Sequence, residues 1–200
     1  GLAFRDEESG AVHTVAARCV INATGPFCDE MRRADDPASK PMIAPSQGVH
    51  TVLSREFLPG DTAIMVPHTR DGRVMFAIPW HGHAVVGTTD TPIPTATLEP
   101  SAQKEEIDFI LDTAGDYLAK RPTRADVLSV FTGIRPLVKS SDVSNTAALS
   151  RDHTIEISSS GMLTIAGGKW TTYRRMAEDA VDHAIVLGRL DERPCVTRDL

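Results

Sequence analysis

No apolar run in the chain approaches the ~18 residues a helix needs to cross a lipid bilayer. No basic-then-apolar segment of the kind that directs export is present either. Any membrane contact is therefore expected through segments other than these. Cysteine is scarce: Cys19, Cys28 and Cys195 make an odd number with no C-x-x-C spacing. That excludes a zinc-finger ligand set, fits a reducing compartment and leaves the three as packing residues. Positive charge is in deficit, with 21 Lys and Arg against 27 Asp and Glu and a net charge of −6. Such a balance argues against a nucleic-acid-binding face, which is normally basic. Internal repeats and low-complexity tracts are absent too, which excludes a solenoid. What remains is 200 residues with 41% hydrophobic content, enough for a core in one large or two small globular, soluble domains.

Strand signals dominate the first half. Gly1 opens the first strand of a β-hairpin, and Ala11 to Ile21 alternates before turning at Asn22 to Pro26, so a strand ends in small residues. Small residues there leave room for a ligand at the crest of an α/β sheet, although a Gly-Pro turn after an edge strand reads the same way. Val49 to Leu53, Ala63 to Val66, Val74 to Ile78 and Ala84 to Thr88 are strand-like runs. Pro59-Gly60, Asp71-Gly72 and His81-Gly82 separate them as hairpin turns, which predicts an antiparallel sheet. The His81-Gly82-His83 pair has metal-ligating side chains, but glycine between two apolar alternations marks a hairpin turn, and no metal is expected. The period then changes. Ile107, Ile110, Leu111, Ala114, Tyr117 and Leu118 share one helical face, with Ser101 as N-cap, Glu105 and Glu106 near the start, and Pro122 as terminator. Val127 to Phe131 leads to a corner at Arg135, and Ala147 to Ile157 pairs with Met162 to Ala166 around Ser158-Ser159-Ser160-Gly161.

Leu163 to Ala166 reads as a strand, and Tyr173, Met176, Ala177, Ala180, Val181, Ala184 and Ile185 recur at helical spacing. Gly167, Gly168 and Lys169 join the two. The junction reads either as a plain strand-to-helix turn or as an anion-facing helix start, whose N–H groups and dipole attract negative charge. Arg135, between Ile134 and Pro136, and Arg151, before Asp152-His153, add guanidinium groups. Each alone reads as a solvated residue. With Lys169 they form a set able to grip a phosphate, because guanidinium binds it through two parallel hydrogen bonds and lysine adds a point charge.

Seven strings stand in order: Val20-Ile21-Asn22-Ala23-Thr24-Gly25-Pro26, Gly48-Val49-His50, Ile78-Pro79-Trp80, Gly87-Thr88-Thr89-Asp90, Gly133-Ile134-Arg135-Pro136, Arg151-Asp152-His153 and Gly167-Gly168-Lys169-Trp170-Thr171-Thr172. Over residues 10–186 the chain thereby resembles the FAD-dependent glycerol-3-phosphate dehydrogenases. The resemblance implies an α/β (α+β) fold: an antiparallel-sheet substrate domain over residues 34–159, plus part of a glutathione-reductase-like, D-amino-acid-oxidase-type FAD-binding domain over 1–33 and 160–188. Residues 189–200 would lead toward a C-terminal domain. The implied reaction is oxidation of sn-glycerol 3-phosphate to dihydroxyacetone phosphate by hydride transfer to FAD, with electrons passed to a quinone. Oxygen-using glycerol-3-phosphate oxidases share these motifs. A non-catalytic phosphometabolite-binding module is the reading from another class.

The same resemblance assigns roles. Ala23, Thr24, Gly25, Gly167, Gly168, Lys169, Trp170, Thr171 and Thr172 are expected against FAD, with the amides of Trp170, Thr171 and Thr172 facing the charge of reduced flavin, or with one threonine merely capping the helix. Arg135, Arg151 and Lys169 are expected on the substrate phosphate, and His50, placed at a strand start, on the C2 hydroxyl proton. Gln47 stands where many relatives carry lysine. The implied setting is cytoplasmic, peripheral on the inner face of a membrane, with a homodimer as a further expectation. No G-x-G-x-x-G occurs, and Gly82 to Gly87 has the wrong spacing for one, so the chain is expected to be the middle of a longer enzyme that does not hold FAD tightly by itself.

Overall fold

The computed structural model describes residues 1–70, 72–139 and 152–199. They form two compact units, Gly1–Ala44 with Pro136–Leu200, and Pro45–Arg135.

In the first unit, β1 (Leu2–Arg5) and β2 (Val12–Val15) form an exposed antiparallel hairpin. The predicted strand through Ile21 is instead broken after Val15 and resumes as β3 (Ile21–Asn22). A three-stranded sheet follows the order β10 (His153–Ile157), β11 (Leu163–Gly167), β3, with β3 parallel and β10 antiparallel to β11. Each of the two parallel strands runs into a single 3-10 turn and then a helix. β3 continues through Gly25–Phe27 into α1 (Cys28–Asp35), where Pro26 costs no hydrogen bond because first-turn amides lack partners. β11 continues through Trp170–Thr172 into α3 (Tyr173–Gly188). Ala180 of α3 packs on Leu163 and Ile165, while Cys28 packs with Met42, Ile43 and Ala166.

An ion network centred on the buried Arg32 ties this unit together. Asp29 accepts the Met42 and Ile43 amides, and Arg32 donates to Asp29, to the Lys40 carbonyl and to Glu156 on β10. The segment after α1 and β10 both group with the first unit, because Asp29 and Arg32 hold them and β10 bonds along β11.

The second unit is built on β4 (Ile43–Ser54), β5 (Ile64–Val66), β6 (Met75–Trp80), β7 (His83–Gly87) and β8 (Thr91–Pro92), in the order β5-β6-β7-β4-β8, with β9 (Val127–Val138) also pairing with β4. The alternation of β4, β6 and β7 puts Val49, Leu53, Ala77, Ala84 and Val86 against Ile110, Leu111 and Ala114 of α2 (Lys104–Ala114), all buried. The opposite face carries His50, Val52, Phe76, Ile78, Trp80, Val85 and Phe131. Its side chains are half-buried or exposed, Trp80 being 60% exposed.

Three sequence expectations change here. Helix α2 is capped by Gln103, whose amide donates to Glu106 at 2.8 Å, while Ser101 offers its carbonyl to Gln47. The helix stops at Ala114, ahead of Gly115, rather than at Pro122, as expected of glycine's poor helix propensity. Strand β9 passes straight through Arg135 and Pro136 instead of turning; proline is tolerated where its missing N–H is not needed by a partner strand.

Candidate active site

His50 lies in the middle of β4 rather than at a strand start, because β4 extends back to Ile43. It sits opposite Gly87 of β7, where a Cβ would collide with the imidazole. Its ring stacks on Phe131 of β9 with centroids 4.9 Å apart and planes within 7°. Burial first, and then the positive charge of Arg135, hold its pKa below the ordinary histidine value.

Two residues before His50, Gly48 leaves the space that the Arg135 guanidinium fills; any Cβ there would overlap it. Arg135 donates to Thr88 Oγ1 at 2.9 Å and pairs with Asp90 at 3.5 Å. Asp90 also accepts from Ser46 Oγ. A guanidinium therefore sits beside a neutral-leaning imidazole on one face of one sheet. Along the same face runs a groove of about 440 Å³ lined by Val52, Ile78, Trp80, His83, Val85 and Phe131.

In the first unit, β3 and β11 run parallel with Asn22 beside Thr164, so their carboxyl ends point the same way. Asn22, 3% exposed, donates to the Cys28 carbonyl at 2.9 Å and to Thr164 Oγ1 at 3.2 Å, and its Oδ1 accepts from Thr24 Oγ1 at 2.8 Å. This carboxamide sets the crest of Ala23, Thr24 and Gly25. On the neighbouring crest Gly167 and Gly168 have φ of 79° and 73°. Thr172 Oγ1 accepts the Lys169 amide at 3.0 Å, and the Thr172 amide donates to the Lys169 carbonyl at 2.9 Å. Thr172 thus closes the turn. Its amide is engaged within that turn.

The family described as FAD dependent oxidoreductase matches residues 2–174. This chain belongs to that family. A mitochondrial glycerol-3-phosphate dehydrogenase of Arabidopsis thaliana is 47% identical over 201 residues, covering 100% of this chain and 32% of that protein. A probable mitochondrial glycerol-3-phosphate dehydrogenase of Caenorhabditis elegans is 45% identical over 204 residues, covering 100% and 28%. The crystal structure of a Bacillus halodurans glycerol-3-phosphate dehydrogenase complexed with FAD superposes with a TM-score of 0.82 at 36% identity, covering 98% of this chain and 37% of that one. The chain spans about a third or less of the curated relatives it matches.

As an FAD dependent oxidoreductase, the chain has crests that fit such a cofactor. Ala23, Thr24, Lys169, Trp170 and Thr171 are exposed, and a side chain added at Gly25 would meet nothing within 4 Å. Parallel strands ending in turn-and-helix starts are where this architecture receives nucleotide ligands.

Of the expected phosphate ligands, Arg135 lies in the second unit, Lys169 is exposed in the first, and Arg151 lies outside the described residues, as do the Asp71 turn position and residues 147–151. Sequence reasoning assigned no site role to Thr88, Asp90, Glu106 or Phe131; the first two stood in the string Gly87-Thr88-Thr89-Asp90, Glu106 was read only as a helix-start acid and Phe131 only as a strand residue. It also took Cys195 as a packing residue, whereas Cys195 is exposed with Sγ 3.1 Å from Thr197 Oγ1. Cys28 is buried, and burial pushes its thiol pKa up to about 11. The His81-Gly82 turn has positive φ at both residues, the hairpin geometry, and His83 Nδ1 sits 2.9 Å from the His81 carbonyl. Among the described residues no group of three or more metal-ligating side chains converges.

Proposed function

We propose that the chain is the central part of an FAD-dependent dehydrogenase that oxidises sn-glycerol 3-phosphate to dihydroxyacetone phosphate. The observation that carries this reading is the pairing on one sheet face of Arg135, seated over Gly48, with His50, whose pKa is lowered. Oxidation of a phosphorylated secondary alcohol needs a cation for the phosphate and a base for the hydroxyl proton. The family match and the 36%-identical FAD complex support the cofactor.

FAD, when bound, supplies acceptance of the C2 hydride. The chain's residues do the rest. Arg135 takes the phosphate dianion, and Thr88 and Asp90 orient its guanidinium before substrate arrives; for Arg151 and Lys169 the same role is proposed from the sequence motifs alone. His50, neutral at pH 7, takes the C2 hydroxyl proton, and Phe131 keeps its ring plane fixed. Ala23, Thr24 and Gly25 on one crest, and Gly167, Gly168, Lys169, Trp170 and Thr171 on the other, hold the cofactor. We further propose a quinone as the electron acceptor, supported by relatives named dehydrogenases rather than oxidases. Among the described residues no helix is long and apolar enough to cross a membrane; a peripheral membrane contact is part of the same proposal.

Steady-state kinetics of the flavin-loaded full-length protein test the phosphate assignment. Arg135→Lys and Arg151→Lys should each lower kcat/KM for glycerol 3-phosphate by roughly ten- to a hundredfold, mainly through KM, because lysine loses the two-pronged fork. Wild-type kinetics in both would remove the arginines from that role.

A further inference from the structure

Glu106 is 4% exposed, and nothing in the proposed chemistry uses it. Its two carboxylate oxygens accept four hydrogen bonds, from Gln47 Nε2 at 2.7 Å, the Gln103 amide at 2.8 Å, Thr91 Oγ1 at 2.6 Å and Thr89 Oγ1 at 3.1 Å. Capping α2 accounts for the Gln103 bond alone, and a carboxylate serving only as a cap would not need burial, which is costly for a charge. The other three donors lie on β4, on β8 and in the segment leading into β8.

Thr89 is held from two sides, since its hydroxyl donates to Glu106 and accepts the Val49 amide at 3.0 Å. Its flanking residues, Thr88 and Asp90, both bond Arg135. β4 repeats the construction: Gln47 bonds Glu106, Ser46 bonds Asp90, and Gly48 makes room for the guanidinium. One buried anion thus ties down the middle of a segment whose neighbours aim a cation.

We infer that Glu106 is a positioning residue that sets the Arg135 guanidinium by fixing the Thr88–Asp90 segment through Thr89. The inference rests on the reading of Arg135 as a phosphate ligand. Loss of the carboxylate leaves Thr89, Thr91 and Gln47 without their shared acceptor, the segment relaxes, and the fork loses its alignment. Phosphate binding suffers more than the hydride step, and only while the fork exists.

The test uses the flavin-loaded full-length protein with Glu106→Gln and Thr89→Val, each alone and combined with Arg135→Lys. KM and kcat for glycerol 3-phosphate are read beside the melting temperature. Thr89→Val keeps the carboxylate with its three other donors and reads the link if Glu106→Gln does not fold. Each single variant should raise KM roughly three- to thirtyfold with kcat within about twofold, and that rise should shrink below about twofold in the Arg135→Lys background. KM unchanged while melting temperature falls overturns the inference, as does a KM rise that multiplies with that of Arg135→Lys. An Arg135→Lys protein with wild-type KM overturns the phosphate reading itself, and the inference with it; the Arg135→Lys single variant separates the two failures.

Discussion

His50 shows how neighbours set the state of one side chain. Burial removes water that would solvate an imidazolium, and Arg135 repels the extra charge, so both effects lower its pKa. The sign follows directly. Unfolded, His50 takes up its proton near pH 6.5, and folded it does so only at lower pH. Between those values the unfolded state binds more protons, so the His50 contribution to stability is present above 6.5 and is lost as pH falls through that window. In the flavin-loaded enzyme, kcat should climb along an acid limb below pH 6.5 and then level. Arg135→Gln removes the repelling charge and should move that limb to higher pH, while His50→Ala should remove it and depress kcat. A limb that stays in place in both variants belongs to another group.

Glycine crests show the same logic for an element. Gly167 closes β11 at φ 79°, and a Cβ there would lie 2.7 Å from the Asp152 carbonyl oxygen, a backbone atom that cannot swing away. Gly25 follows β3 at φ 58° with open space around it. Alanine at Gly25 should therefore cost about 1 kcal/mol of left-handed backbone strain alone. Alanine at Gly167 should cost clearly more, since the strand end must also shift. Thermal denaturation of the two variants checks the order, and equal losses would show that the Asp152 contact does not confine the turn. The strand-turn-helix pattern at Gly167 was legible in the sequence because glycine and helical period are local signals; after Gly25-Pro26 only the strand and the turn were read, and helix α1 came from the structure. The cap of α2 was not, because choosing Gln103 over Ser101 depends on where Glu106 is drawn by Thr89, Thr91 and Gln47.

At the scale of the whole molecule, cofactor retention is the discriminating property. The crests at Gly25 and at Gly167 to Thr171 are the contacts proposed for a flavin, and the 200 residues contain no G-x-G-x-x-G turn to receive a pyrophosphate. The 200-residue chain, expressed by itself, should fold and purify colourless. Missing pyrophosphate hydrogen bonds amount to several kcal/mol, about three decades of affinity at roughly 1.4 kcal/mol per decade. A yellow preparation with FAD in stoichiometric amount would show that the two crests suffice.

The sequence by itself determined what is written locally. Hairpins between β5, β6 and β7 follow from glycine turns between alternating runs, α3 from its period, and the motif order from residues that pair structure with chemistry. Tertiary structure alone decided the rest. Periodicity says which face of a strand is buried but not where the strand begins, so His50 moved from a strand start to mid-strand. A Gly-x-Arg-Pro string looks like a corner until β4 is there to pair with β9. Gln47 and Glu106 are 59 positions apart, and Arg135 and Asp90 are 45 apart. What a buried polar group bonds to is fixed by strand register across such distances, and no local pattern in the chain encodes it.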